Sequence, residues 1–189
     1  MKQTNKMVLA ALFAALCCIA TMVIKLPSAT LGYIHLGDGL VLLSGIILGP
    51  IYGGLAAGIG SMFSDIFSGY TLWAPGTFII KAICAILAGL LFRKLNRPKS
   101  KHPISYPVLI FSCLVSELFM VVGYFFYGSF LIVISSGHKE TFLAAFGASI
   151  AGVPFNLLQG LAGIIITCLL IPVFMKISDI RFSILNEHL

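Results

Sequence analysis

Long apolar runs separated by short polar segments dominate the chain. A transmembrane helix needs about 20 apolar residues to cross a hydrocarbon core of ~30 Å, and most of these runs approach or exceed that length. The pattern therefore predicts an all-α integral membrane protein, a six-transmembrane-helix bundle. The predicted helices cover residues 7–24, 39–48, 51–67, 75–92, 106–134 and 142–174.

The second and third runs are separated only by Gly49 and Pro50. A kink at this point would give five helices, whereas a tight turn gives six. Proline ends one helix and is favoured in the first turn of the next, so the pair favours the turn.

The basic residues outside the helices fall mainly in three segments, at 2–6, 93–105 and 176–181. With six helices these segments lie on one side of the membrane, and the opposite loops contain only Lys25 and Lys139. Lys and Arg accumulate on the cytoplasmic side. The pattern therefore predicts that the N and C termini are cytoplasmic and that 93–105 is a basic cytoplasmic loop.

Composition supports the same class of protein. The chain has 189 residues, of which 59% are hydrophobic and 10% charged, and its mean hydropathy is +1.08. Soluble domains are about half apolar and a quarter charged. We expect a single membrane domain over 1–189, and the net charge of +6 is explained by the loops, so the basic segments do not indicate nucleic-acid binding.

Two of the helices carry stripes of small residues, which allow another helix to approach closely. Ala11 and Ala15 in the first helix fit either packing against neighbouring helices or docking of a partner subunit, and the sequence leaves both open. In the third helix the stripe ends near a carboxylate and is expected to face protein. Its members are Gly54, Gly58, Ser61, Asp65 and Ser68.

Ionisable residues inside the predicted helices are the main functional signal, because each is costly in a membrane and faces a partner or a cavity. Asp65 and Lys81 lie near the outer ends of the third and fourth helices, which predicts an ion pair with a structural or a ligand-binding role. Glu117 lies about 16 Å into the fifth helix, with Tyr124 two turns further on the same face. Both are predicted to bind a ligand, with Lys81 as the nearest candidate charge.

The last helix presents a stripe in which two carboxamides are flanked by glycines. Gly152, Asn156, Gln159 and Gly163 follow one another at steps of four, three and four residues. A carboxamide both donates and accepts hydrogen bonds, which suits a neutral heteroaromatic ligand; hydrogen bonding between the last two helices is the alternative. Pro154 is predicted to interrupt the helix beside Asn156.

The segment 32–39 is short, polar and rich in glycine, and it carries His35 and Asp38. With Trp73, these residues are expected in or near outward-facing loops. Trp73 fits an aromatic membrane anchor or a stacking partner for a ligand. We predict that all three contribute to substrate binding.

The common catalytic motifs are absent from the sequence. It contains no GxxxxGK[ST], HExxH or GxSxG pattern, so we predict a non-catalytic protein with no metal and no cofactor. The cysteines lie in apolar runs without a CxxC pair and are predicted to be packing residues. A stand-alone channel or small-solute facilitator remains an alternative, although the inner halves of the helices are mainly apolar. A membrane enzyme is less favoured still.

An ordered set of motifs resembles the membrane-embedded substrate-binding (S) component of energy-coupling factor (ECF) vitamin transporters. The resemblance extends over nearly the whole chain and is strongest to the branch for riboflavin, hydroxymethylpyrimidine or pyridoxine-type substrates. The segment Glu117 to Tyr124 belongs to the set. The other motifs are YIHLGDG (33–39), LGP (48–50), GSMFSD (60–65), SGY (68–70), AP (74–75), IK (80–81) and PFNLLQ (154–159).

This resemblance implies that the protein binds a vitamin or vitamin precursor from outside the cell, under a cap formed by 26–38. It also implies a location in the bacterial plasma membrane, with a transmembrane T component and two cytoplasmic ATPases as partners. Ala11 and Ala15 match the AxxxA motif through which S components dock. Among ligands we favour a pyridoxine-type compound or hydroxymethylpyrimidine, because an anionic vitamin would require more cations than Lys81. Riboflavin is the nearest competitor.

Overall fold

The structure, a computed structural model, describes residues 3–23, 25–27, 33–96, 104–136 and 141–177. These residues form a helical bundle with one two-stranded hairpin. The elements are α1 (Gln3–Val23), β1 (Lys25–Pro27), β2 (Tyr33–His35), α2 (Asp38–Leu48), α3 (Pro50–Phe67), α4 (Ala74–Leu95), α5 (Tyr106–Ser135), α6 (Phe142–Ile150) and α7 (Val153–Phe174).

The predicted all-helical membrane class is confirmed, but the count of six helices is wrong by one. The run 142–174, predicted as one helix, is divided by a turn at Ala151 and Gly152 into α6 and α7. Pro154 lies in the first turn of α7. Its ring nitrogen has no hydrogen to donate and its side chain would clash with a preceding helical turn, so a helix ends before it and a new one begins there.

The turn predicted between the second and third helices is confirmed. Gly49 has a φ of 84°, a left-handed conformation that favours glycine, and its N–H donates to the carbonyl of Gly45 over 3.0 Å. Pro50 begins α3. On the other side of the turn the buried Arg93 guanidinium donates to the carbonyl of Ile47 over 3.3 Å. The turn is therefore fixed by α4 as well as by its own backbone.

Glycines bring α2, α3 and α4 into close contact. A Cβ on Gly45 would collide with the main chain of Ala85 in α4, and a Cβ on Gly89 would collide with the main chain of Gly45. On its other face α2 packs against α3, where Gly53 packs directly against the carbonyl group of Ser44. This packing fixes the N-terminal end of α2 beside the outer half of α4.

The hairpin of β1 and β2 follows α1 and was not predicted. The strands are antiparallel, with Lys25 opposite His35 and Pro27 opposite Tyr33. Strands of three residues are too short for an alternating pattern of apolar and polar residues to be detected in the sequence. The residues 28–32 of the predicted cap lie outside the described part of the chain.

The apolar core fills the end of the bundle near the Gly49–Pro50 turn. It includes Phe13, Ile46, Phe92 and Leu109, each at most 1% exposed. A second apolar cluster continues towards the opposite end. The five cysteines are all free thiols, and Cys17, Cys84 and Cys113 are buried. Their predicted role in packing agrees with this environment.

Among the described residues, four helices are long and apolar enough to cross a membrane: α1, α4, α5 and α7. The helix α2 is apolar but shorter. Many large apolar side chains are exposed on the outer surface of the bundle. Such a surface is suited to lipid, and the protein is a multi-pass membrane protein.

Candidate functional site

A buried ion pair lies between α2 and α4. The ammonium group of Lys81 donates a short hydrogen bond to Oδ1 of Asp38, and both side chains are 1% exposed. The sequence-based pairing of Lys81 with Asp65 is therefore wrong. The glycine contacts between α2 and α4 bring Asp38 to Lys81, whereas Asp65 lies near the end of α3.

Asp38 lies inside the bundle rather than in an outward-facing loop. It is the first residue of α2, and its exposed fraction is 0%. His35, in β2, is also buried, with 7% of its surface exposed. The expectation of loop positions is corrected for both residues, because the chain returns into the bundle after β1. The N-terminus of a helix stabilises a carboxylate at the position of Asp38.

Gln159 connects the ion pair to the hairpin. Its Nε2 donates to Oδ2 of Asp38 over 2.7 Å, and its Oε1 accepts from the backbone N–H of His35 over 3.0 Å. The ring Nδ1 of His35 accepts from the N–H of Gly37 over 3.1 Å. The carboxamide of Gln159 therefore bonds to α2 and β2, and the alternative of bonding to the neighbouring helix does not apply to it.

The side chain of Glu117 lies between α5 and two glycines of α7. A Cβ on Gly160 would lie 3.1 Å from Oε2 of Glu117, and a Cβ on Gly163 would lie 3.3 Å from Oε1. The same position on Gly163 is 2.8 Å from Cβ of Asp38, so the two acidic side chains flank one glycine. Glu117 is 4% exposed, and no described residue forms a hydrogen bond to its Oε2.

Aromatic side chains adjoin the ion pair. Nζ of Lys81 lies 5.2 Å from the ring centroid of Tyr124, within the range of a cation–π interaction. The hydroxyl of Tyr124 donates to Oγ1 of Thr77 over 3.3 Å. The ring of Trp73 lies 6.1 Å from that of Tyr124, and Trp73 is half-buried. These contacts place Tyr124 and Trp73 beside the ion pair of Lys81 and Asp38.

Two other predicted site residues lie on α7 and α3. Asn156 is half-buried on α7, and its side chain forms no hydrogen bond with another described residue. Asp65 is buried on α3, where its main-chain carbonyl accepts from the N–H of Tyr70 over 2.8 Å. The buried stripe predicted on α3 is confirmed, since Gly54 and Gly58 contact α4.

Two threonines at the site were not predicted from the sequence. Thr77 lies one helical turn before Lys81, so the i, i+4 spacing of two polar residues was a usable signal. Thr21 is 1% exposed at the end of α1, and a Cβ on Gly37 would collide with its hydroxyl. No pattern in the sequence distinguishes Thr21, because its position depends on how the hairpin folds back.

A groove of about 660 Å³ lies on the outside of the bundle between α1 and α3. Ala11 and Ala15 line it and are exposed. On α3 it is bordered by Leu55, Ile59 and Phe63. The groove is almost entirely apolar, in contrast to the buried cluster of Asp38, Lys81, Gln159, Glu117 and Tyr124, which we call the polar site.

The fold and the polar site define a multi-pass membrane protein that encloses a hydrogen-bonding cluster within its helices. A sequence model of the family "ECF-type riboflavin transporter, S component" matches residues 1–176. The chain belongs to this family.

One relative and two solved structures are also similar to this chain. An uncharacterised protein of Pyrococcus woesei is 31% identical over 107 residues, which cover 56% of this chain and 66% of that protein, slightly less than two thirds. A structure titled "Structure and mechanism of the S component of a bacterial ECF transporter" aligns with a TM-score of 0.69 and 19% identity, over 93% of this chain and 98% of that chain. An S component for biotin aligns with a TM-score of 0.63 and 17% identity, over 97% of each chain. At these identities the structures show a shared fold.

The family describes a general role. Its members are non-catalytic, substrate-binding components of transporters, and the family implies binding of a vitamin for uptake. S components of ECF transporters work with a T component and ATPases. Among the described residues there is no group of three or more metal-ligating side chains.

Proposed function

We propose that this protein binds a heteroaromatic vitamin or vitamin precursor from outside the cell at the polar site. The observation that supports this most strongly is the enclosure of Asp38, Lys81, Gln159 and Glu117 within a membrane bundle. Charged and amide groups are costly at this depth unless they serve a ligand or one another. The apolar packing of Phe13, Ile46 and Phe92 at the other end favours a closed binding site over a continuous channel.

The proposed substrate is a pyridoxine-type compound or hydroxymethylpyrimidine. Lys81 is already paired with Asp38, so the site does not offer a spare cation for an anionic vitamin. Trp73 and Tyr124 provide ring faces for stacking. Riboflavin is the second candidate, supported by the description of the matching family.

The segment from His35 to Asp38 is the proposed gate of the site. The hydrogen bonds of Gln159 join this segment to α7, through the N–H of His35 and the carboxylate of Asp38. Opening the segment would break both contacts, so the gate and the binding groups are coupled. We also assign a supporting role to Asp65 and a ligand contact to Asn156, which lies on the same face of α7 as Gln159.

The groove between α1 and α3 is the proposed docking surface for a transmembrane helix of the T component. Its small residues Ala11 and Ala15 allow close approach of another backbone, and its apolar lining suits contact within the membrane. Two cytoplasmic ATPases would complete the transporter. We further propose that it acts in the plasma membrane of a bacterium with both termini cytoplasmic.

Identification of co-purified small molecules tests this function directly. The protein would be purified in detergent, and released compounds would be analysed by mass spectrometry and ultraviolet absorption. Titration with pyridoxine, hydroxymethylpyrimidine, riboflavin, pantothenate and biotin would follow, with Gln159→Leu as a site variant and the exposed Val8→Leu as a control. We expect one compound to bind the wild-type protein stoichiometrically and to bind the Gln159→Leu variant more weakly. A folded protein that binds none of them would contradict the proposed function.

A further inference from the structure

The polar site contains one more acidic group than basic group. Lys81 contributes one positive charge, and Asp38 and Glu117 each contribute a carboxyl group beside Gly163. Lys81 interacts electrostatically with both acids and is hydrogen-bonded to Asp38. The buried thiols Cys84 and Cys113, which also lie near Glu117, supply no positive charge. His35 faces Asp38, and its Nδ1 accepts a hydrogen bond from Gly37, so we count the ring as neutral.

Asp38 receives more hydrogen bonds than Glu117 does. Asp38 receives the Lys81 ammonium on one oxygen and the Gln159 amide on the other. Glu117 is 4% exposed, and its Oε2 has no partner among the described residues. A buried carboxyl oxygen without a partner has lost its hydration and gained no hydrogen bond in exchange. A ligand group that shares a proton with Oε2 would supply that hydrogen bond.

We propose that Glu117 recognises a basic ring nitrogen of the ligand through one shared proton. The proton lies either on the nitrogen, facing a carboxylate, or on the carboxyl group, facing a neutral nitrogen, and both arrangements have the same composition and net charge. Addition of this proton brings the charges of Lys81, Asp38 and Glu117 to zero. The inference rests on the proposed function and narrows its substrate class to pyridine or aminopyrimidine compounds.

The backbone of α7 lies close beside Glu117. A Cβ on Gly160 would lie 3.1 Å from Oε2 and one on Gly163 would lie 3.3 Å from Oε1, so neither position leaves room for a side chain that would cover the carboxyl group. Asn156 lies one turn from Gly160 on the same face of α7, where it can bond to a ring substituent. Riboflavin fits this arrangement less well, since its ring nitrogens are not basic near neutral pH.

A ligand pair that differs only at the ring nitrogen tests the inference. The dissociation constants of pyridoxine and of its benzene analogue, in which C–H replaces the nitrogen, would be measured by calorimetry on the detergent-purified full chain. A site built to bond a polar group strongly rejects an analogue that lacks it, so we expect wild-type protein to bind the analogue at least about 100-fold more weakly. A difference below about tenfold would overturn the inference, as would tight binding of riboflavin alone.

Measuring the dissociation constants of the same two ligands with the Glu117→Gln variant tests whether Glu117 makes the contact with the ring nitrogen. We expect the preference for pyridoxine to fall at least about tenfold in this variant, because a neutral carboxamide cannot share the proton and can only donate a hydrogen bond to the unprotonated nitrogen. Ser112→Ala on the same helix, where the hydroxyl donates to the carbonyl of Val108, should keep the full preference. A preference that persists in Glu117→Gln would assign nitrogen recognition to another residue. If Glu117→Gln fails to fold, the wild-type comparison still decides.

These results separate failure of the inference from failure of the function. Binding of riboflavin with equal affinity to wild type and Glu117→Gln would overturn the role of Glu117 and leave a vitamin-binding S component. Binding of hydroxymethylpyrimidine with loss in Glu117→Gln would support the inference with the other basic ring. Failure of folded wild-type protein to bind every compound would contradict the proposed function itself.

Discussion

The polar site and the groove between α1 and α3 differ in the polarity and the exposure of the residues that form them. The polar site holds charged groups, such as Lys81 and Asp38, that are fully enclosed, whereas the groove exposes small apolar residues, such as Ala11 and Ala15. A small polar molecule can form hydrogen bonds with the groups inside the bundle, whereas the apolar groove can contact a helix in lipid only by close packing. The difference teaches that the proposed ligand site and the proposed docking surface use different helices: α2, α4, α5 and α7 form the first, and α1 and α3 form the second.

The largest expected effect is at the ion pair. Lys81→Met leaves Asp38 buried without its cation, and removal of one partner from a buried pair costs about 3–5 kcal/mol in the free energy of unfolding. The measurement is thermal stability in detergent by size-exclusion chromatography. The control is the exposed Lys94→Met on the same helix, which should change stability by less than about 0.5 kcal/mol. Equal stability of the two variants would show that the pair is not formed.

A smaller effect, confined to assembly, is expected from the groove. The double change Ala11→Leu and Ala15→Leu fills it, and overpacking of about 1–3 kcal/mol should reduce co-purification with the T component about tenfold or more. Affinity for the vitamin should stay within about twofold, because the groove lies outside the polar site. Val8→Leu, on the exposed surface of α1 away from the groove, is the control. Loss of vitamin binding in the double variant would remove the separation between the two regions.

The smallest expected effect is at the aromatic edge of the polar site. Tyr124→Phe removes the hydrogen bond to Thr77 and keeps the ring beside Lys81, so a loss of about 1 kcal/mol or less in binding is expected. Tyr124→Leu removes the ring as well and should lose more. Titration of both variants measures the difference. Equal losses would show that the ring face contributes nothing to the site.

Apolar runs predicted α1 to α5 within a few residues, because each helix is bounded by a loop, a proline or a charge. For the last run an interruption at Pro154 was predicted, but not its division into two separate helices, since Ala151 and Gly152 are as apolar as their surroundings. Burial of Glu117 and Gln159 followed from their position in apolar runs. The pairing of Asp38 with Lys81, 43 residues apart, was not predictable, because it depends on glycine contacts between two helices.

The short length of α2 restricts the path by which a ligand enters. With 11 residues the helix is about 16 Å long, roughly half the thickness of a hydrocarbon core. The helix begins directly after β2 of the hairpin, and unpaired strand backbone is not tolerated against lipid. A hairpin that moved sideways into hydrocarbon would expose such backbone. For the proposed ligand we therefore expect exchange from the aqueous side.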